Sequence, residues 1–305
     1  MGYNNYSSNA YRSFSNANAH KKAAEIFNKT IDTSNLATNI VVRESRDSVL
    51  HPNSIAIIIL LDVTGSMGLV IENLIKIELN NIFQLLLDKG IDDPQVLFGA
   101  IGDAYYDSKP ALQVQQFESG TDETIKAIQS LHITGQGGGD GSESYILGWI
   151  FAGTKTSIDC FEKRNIKGFL FTVGDEANHT KMTVAKLQKE IGSNFEKDIT
   201  DKEALQKVSE MYEVFHINIE ENTNCGQSFT TKNYWRNILG ERFISISSYT
   251  EVAKTITSII GVMNDKNMAD VVNTMDSKTQ MAITAFANYK NIVKKSNDNA
   301  DIVKV

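Results

Sequence analysis

The chain has 305 residues, with 30 Lys and Arg against 37 Asp and Glu, a formal net charge of −7 and an isoelectric point near 5.3. That balance provides no broad basic field for sequence-independent phosphate contacts and argues against nucleic acid as the main partner. The length suits one large α/β domain with appendages or two modest domains, and no segment reaches the roughly 18 uncharged apolar residues of a membrane span.

The first stretch, to about Ala19, is rich in Asn, Ser and Tyr and lacks a core-forming pattern, so it reads as an arm ordered only by contacts. It contains no apolar run of signal type. Tyr6 also stands where a myristoylation motif needs Ser or Thr, so the expectation is a cytoplasmic protein without a lipid anchor. A short helix, Lys21 to Phe27, and a strand, Asn39 to Arg43, complete a polar segment over residues 1–50.

From Ser54 the texture changes. "SIAIIILLD" is a continuous β-branched run without alternation, the pattern of a strand buried on both faces in a parallel sheet. Met67 to Asp88 then carries apolar residues at helical spacing up to the glycine of "DKG". "QVLFGAIGD" reads as the next strand, "LQVQQFES" as its antiparallel or edge neighbour, and "DETIKAIQSL" as a helix. After "TGQGGGDGSES" comes an apolar helix from Tyr145 to Thr154 or beyond. "GFLFTVGDE" is another buried strand, followed by helices at Val184 to Ile191 and Lys202 to Tyr212. The strand "VFHINI", a polar loop through Cys225, the strand "RFISIS" and a helix from Glu251 to Met263 close the domain. The alternation predicts an α/β fold over residues 54–263, a doubly wound, mostly parallel sheet flanked by helices that binds ligands at the strand carboxyl ends. A C-terminal segment, residues 264–305, carries an amphipathic helix from Ala269 to Lys294.

Three loops at strand carboxyl ends carry acids or hydroxyls: "DVTGS", "GGGDGSE" and "VGDEANH". Such ends share one edge of the sheet, so Asp62, Thr64, Ser66, Asp140 and Asp175 are expected to converge. Hard oxygens of this kind suit Mg²⁺ or Mn²⁺. No His or Cys pair has zinc-ligand spacing, and His179 reads as a loop or capping residue. Cys160 and Cys225, far apart and outside any CxxC, read as free thiols of a reducing compartment.

The strand-ending Asp62-x-Thr64-x-Ser66, the helix directly after it and the later loop acids resemble the von Willebrand factor A domain and its metal-ion-dependent adhesion site. The likeness covers roughly Ser54 to Met263, and "GGGD" followed by "SE" is similar to intracellular subgroups of that family. The resemblance implies that Thr64 and Ser66 ligate the ion directly, that Asp62 and Asp175 act mainly through bound water, and that one position is left for a partner's carboxylate. The second loop of the family usually offers a Thr. Here the loop offers Thr134, Asp140, Ser142 and Glu143, of which Asp140 is favoured, and "GDAYYD" adds Asp103 as an outer-shell candidate. The implied role is a metal-dependent protein-binding or assembly module, not an enzyme, with a partner such as an AAA+ ATPase or a kinase.

Other readings of the same residues were weighed. An Asp beside Thr and Ser at a strand end is also a helix N-cap pattern. Glycines 137 to 139 lack the following Lys-Ser/Thr of a Walker loop. "DVTGS" and "GDEANH" look like haloacid-dehalogenase-type phosphatase motifs, in which Asp62 would be the nucleophile. Against that, Thr64 replaces the general acid, His179 replaces the last acid, and a helix stands where those enzymes insert a flap. A structural or homo-oligomeric protein, with the ion only as a clasp, is the third class.

Overall fold

The computed structural model describes residues 4–67, 79–133, 140–192, 195–221 and 223–302. A six-stranded sheet organises the chain. Its strands are β1 (Ile55–Asp62), β2 (Pro94–Ile101), β3 (Leu112–Val114), β4 (Gly168–Gly174), β5 (Tyr212–Ile219) and β6 (Phe243–Ile246). The order is β6-β5-β4-β1-β2-β3, all parallel except β3, which runs antiparallel on the edge as its sequence suggested. From β1 the chain winds to β2 and β3 on one side and to β4, β5 and β6 on the other. The order therefore reverses between β1 and β4, and that crevice is where such sheets bind ligands.

The unbroken apolar run of β1 follows from burial on both faces. Ile57, Ile59 and Leu61 enter one core cluster, while Ala56, Ile58 and Leu60 enter the other. Among the described residues the longer helices are α1 (Ser8–Asn18), α2 (Leu79–Asp88), α3 (Thr121–Gln129), α4 (Tyr145–Lys155), α5 (Val184–Glu190), α6 (Asp201–Val208), α7 (Phe229–Leu239), α8 (Val252–Met263) and α9 (Ser277–Ile302). Of the helix expected from Met67 to Asp88, residues 68–78 lie outside the described residues. No helix among the described residues is long and apolar enough to cross a membrane.

Both ends of the chain join the core of the sheet. In the stretch read as an arm ordered only by contacts, α1 forms, capped by Ser7, with Tyr11 fully buried and Tyr6 stacked on Phe83 at 4.9 Å between centroids. The Tyr residues that made the segment look low in complexity are its anchors. At the other end the expected continuous helix is broken into Ala269–Val272 and α9. The first ends at Asn273, and Asp276 caps the second, accepting from Lys278 N at 2.9 Å and from the Thr279 hydroxyl at 2.6 Å. Phe286 of α9 then packs edge-on to Phe215 of β5.

Two smaller departures have local causes. The segment before β1 pairs as Arg43–Ser45 with Thr156–Ile158, slightly later than the strand read at Asn39 to Arg43. It is held by the buried Lys155 ammonium, which donates to the carbonyls of Ala37 at 2.9 Å, Ile40 at 2.7 Å and Ile191 at 2.6 Å. The loop read through Cys225 instead leads into α7, which buries Thr231, Trp235 and Leu239 at four-residue spacing.

Candidate metal centre

Asp62 ends β1 at the point where the strand order reverses, and it is fully buried. Its Oδ1 accepts from the Thr64 N–H at 2.9 Å and the Thr64 hydroxyl at 2.6 Å, and its Oδ2 accepts from the Tyr145 hydroxyl at 2.8 Å. Thr64 is 1% exposed, and its carbonyl closes the one-turn helix Gly65–Met67 by accepting from Met67 N at 3.0 Å. Ser66 lies in that turn, but its side chain falls outside the described residues. Asp175, directly after β4, is fully buried, and its charge acts on Asp62. Burial first and Asp175 second push the Asp62 carboxyl above the ordinary carboxylate range, against the pull of the Thr64 and Tyr145 bonds.

Glycine makes this approach feasible. A Cβ at Gly174, the last residue of β4, would collide with the Tyr145 hydroxyl and come within 2.9 Å of Asp62 Cβ.

A second group forms beside the first. Asp103, Asp140 and His179 each offer a ligand atom, and these atoms lie within 4.8 Å of one another. Of the five residues expected to converge, Asp140 is grouped here with Asp103 and His179. The reason is local pairing. Ser142–Glu143 runs parallel to Ala177–Asn178, which draws the second loop onto the residues after β4, and His179 N donates to the Glu143 carbonyl at 3.0 Å. Ser142, a further candidate ligand, donates its N–H to Asp140 Oδ1 at 3.1 Å. Thr134 and the glycines 137–139 lie outside the described residues.

Asp103 is fully buried. Its Oδ1 accepts from Tyr105 N at 2.8 Å and sits 2.8 Å from His179 Nε2, while its own N–H donates to Asp107 Oδ2 at 2.8 Å. The "GDAYYD" stretch thereby folds on itself, and Gly102 leaves room for the Asp107 carboxylate.

Glu143 stands between the groups. It is 1% exposed, and its carboxyl is pushed far up by burial and then by Asp62 and Asp103. Its Oε2 has no hydrogen-bond partner, and the same holds for Asp103 Oδ2, Asp107 Oδ1 and Glu176 Oε2. Among the described residues no Lys or Arg pairs with any of these carboxylates, and His179 on Asp103 is the one basic partner. Carboxylates buried this way are costly unless protonated or met by a cation. The donor set therefore fits a hard divalent ion, with Asp62, Thr64 and Asp175 as one set of oxygens. Sequence reasoning named Glu143 among the second-loop residues but favoured Asp140, missed Tyr145 and discounted His179. The signal for His179 lay in its place four residues after Asp175, on the same loop.

No family model and no curated protein matches the chain. Among solved structures it is similar to the pilus adhesin SpaC of Lactobacillus rhamnosus GG in its open conformation, at 10% identity over 71% of this chain and 31% of that one, TM-score 0.45. Proximal thread matrix protein 1 from the mussel byssus gives 11% identity over 72% and 48%, TM-score 0.43. The vWF domain of the type V pili tip protein Mfa5 from Porphyromonas gingivalis gives 10% over 74% and 96%, TM-score 0.44. The chain spans about a third of the SpaC adhesin and about half of the byssus protein. Fold and site define a doubly wound, mostly parallel α/β protein with a carboxylate-rich edge at its topological switch point.

Proposed function

We propose that the chain is a metal-dependent protein-binding or assembly module of von Willebrand A type, holding Mg²⁺, or Mn²⁺ in its place, at the edge formed by Asp62, Thr64, Ser66 and Asp175. The observation that carries this reading is the fully buried Asp62 carboxylate, with the Thr64 hydroxyl on it and a second buried acid, Asp175, beside it. A hydroxyl that donates to Asp62 keeps its lone pairs for an ion, so Thr64 serves both without rearrangement. The ion would supply the positive charge that these carboxylates lack and a coordination position for a partner's acid.

The partner, by the same resemblance, is a protein such as an AAA+ ATPase or a kinase in the cytoplasm. The phosphatase alternative is less well supported, because an Asp nucleophile needs an accessible oxygen. Both Asp62 oxygens are hydrogen-bonded inside a fully buried side chain. A structural role with the ion as clasp is the other reading, and α1 and α9, the elements it would use for assembly, pack on this chain's own core.

Calorimetric titration with Mg²⁺ and Mn²⁺ tests the proposal. Asp62→Ala with Ser66→Ala should abolish Mg²⁺ binding at this edge, and wild-type pull-downs with and without chelator should retain different proteins. Undiminished metal binding in the double variant would sink the assignment. Hydrolysis of an aryl phosphate, or trapping of an aspartyl adduct by beryllium fluoride, would establish the phosphatase instead.

A further inference from the structure

We infer that Asp103, Asp140 and His179 form a second cation position, distinct from the Asp62 edge and selective for an ion that accepts imidazole, Mn²⁺ or Zn²⁺, over Mg²⁺. The inference rests on the reading of this edge as a metal-binding face.

The geometry has the spacing of a coordination shell. Neighbouring ligands at roughly 2.1 Å from an octahedral ion lie about 3 Å apart, and opposed ones about 4.2 Å apart. Asp103 Oδ1 and His179 Nε2 are 2.8 Å apart, and the three ligand atoms all fall within 4.8 Å. Small movements close the set, and the ligand that must move, Asp140, is the exposed one, on a loop.

A second observation points to a cation independently of that spacing. Asp103 is fully buried, its Oδ1 is occupied by the Tyr105 N–H, and its Oδ2 has no partner at all. Next to it Glu143, 1% exposed, also holds an oxygen without a partner. His179, on one oxygen of Asp103, leaves the other oxygen of that buried carboxylate without a partner, and a divalent ion would meet it.

The ring is also oriented as a ligand would be. Its backbone N–H is fixed on the Glu143 carbonyl at 3.0 Å, and Tyr105 packs on it with centroids 4.5 Å apart. Imidazole among the donors separates this position from the all-oxygen Asp62 edge. Carboxylate and hydroxyl oxygens suit Mg²⁺, whereas an imidazole donor shifts preference toward first-row transition ions, Zn²⁺ more strongly than Mn²⁺.

The test is the stoichiometry and spectroscopy of Mn²⁺ bound to the full chain, followed by electron paramagnetic resonance with detection of nitrogen coupling. Wild type should bind two ions per chain, one with an imidazole nitrogen. His179→Gln should remove the nitrogen coupling and one ion, weakening that site by more than about tenfold, the range orienting residues alone reach. Asp140→Asn, on the exposed ligand, should weaken the same ion and leave the fold unchanged by circular dichroism. Asp62→Asn should remove the other ion and leave the nitrogen coupling intact. One ion without nitrogen coupling, or two ions unaffected by His179→Gln and Asp140→Asn, overturns the second position while leaving the Asp62 edge standing. Two ions of which neither responds to Asp62→Asn would instead overturn the reading of that edge.

Discussion

Replacing Asp62 by Asn should stabilise the metal-free protein while destroying its response to Mg²⁺. The substitution keeps the side chain's size and leaves an oxygen to accept from Thr64 N and Oγ1, now at 2.9 and 2.6 Å, but it removes the charge. That charge is unfavourable in place, because burial and Asp175 outweigh three donated hydrogen bonds and drive the carboxyl's titration upward. Two like charges about 4 Å apart repel by roughly 4 kcal/mol at an effective dielectric near 20, which sets the ceiling. Weakening hydrogen bonds to a charged acceptor returns about 1.5–3 kcal/mol, leaving a net gain of about 1–2 kcal/mol. At roughly 2–4 °C per kcal/mol for a domain of this size, Tm in chelator at pH 8 should rise by about 2–8 °C. Circular dichroism melts with and without Mg²⁺ read both effects. A variant that melts below wild type in chelator would mean that the fold itself stabilises the Asp62 charge, which would refute the reasoning.

Further outcomes follow from the same geometry. Glu143 titrates above its unfolded range, so the folded state holds a proton that the unfolded chain has released. Stability of the metal-free protein should then fall as pH rises from about 6.5 to 8, by up to about 1.4 kcal/mol per pH unit for each such group. His216, which burial holds neutral, contributes its stability above the ordinary His range and loses it only below, so it does not mask this window. Urea melts should show the slope, and Glu143→Gln should flatten it; a slope unchanged in that variant would assign it elsewhere. Gly174→Ala should cost several kcal/mol and lower metal affinity, since its Cβ meets the Tyr145 hydroxyl and Asp62; full Mg²⁺ binding with an unshifted Tm would contradict the packing. Tyr11→Ala, which empties a fully buried aromatic site in α1, should cost about 3–5 kcal/mol, and a change below about 1 kcal/mol in chemical denaturation would return the arm to its sequence-based reading.

The sheet was legible because its signals were local. β1, β4 and β5 are apolar runs too short for helices and bounded by turn residues, and burial on both faces is the physical reason for that pattern. The positions of Asp62 and Asp175 followed from the topology rule for strand carboxyl ends. The arrangement of Asp140 was not legible, because it depends on a two-residue parallel pairing, Ser142–Glu143 with Ala177–Asn178, that leaves no periodic signature. Glu143 was visible as an acid of the second loop, but its enclosure was not, since nothing local marks an acid as buried. Helix α1 was not legible in the arm because its anchors, Tyr6 and Tyr11, are set among Asn and Ser that give it little apolar stripe. α7 was readable in principle from Thr231, Trp235 and Leu239 at four-residue spacing, but the polar residues between them dilute the pattern.

The most direct test of the account is the Tm gained on adding Mg²⁺, measured at pH 6.5 and pH 8 for wild type and Asp62→Asn. An ion that displaces protons from buried carboxylates should stabilise wild type more at pH 8 than at pH 6.5. Asp62→Asn should lose most of that gain at both pH values. No gain in wild type, or an equal gain in Asp62→Asn, would contradict the assignment of this sheet edge as a metal centre.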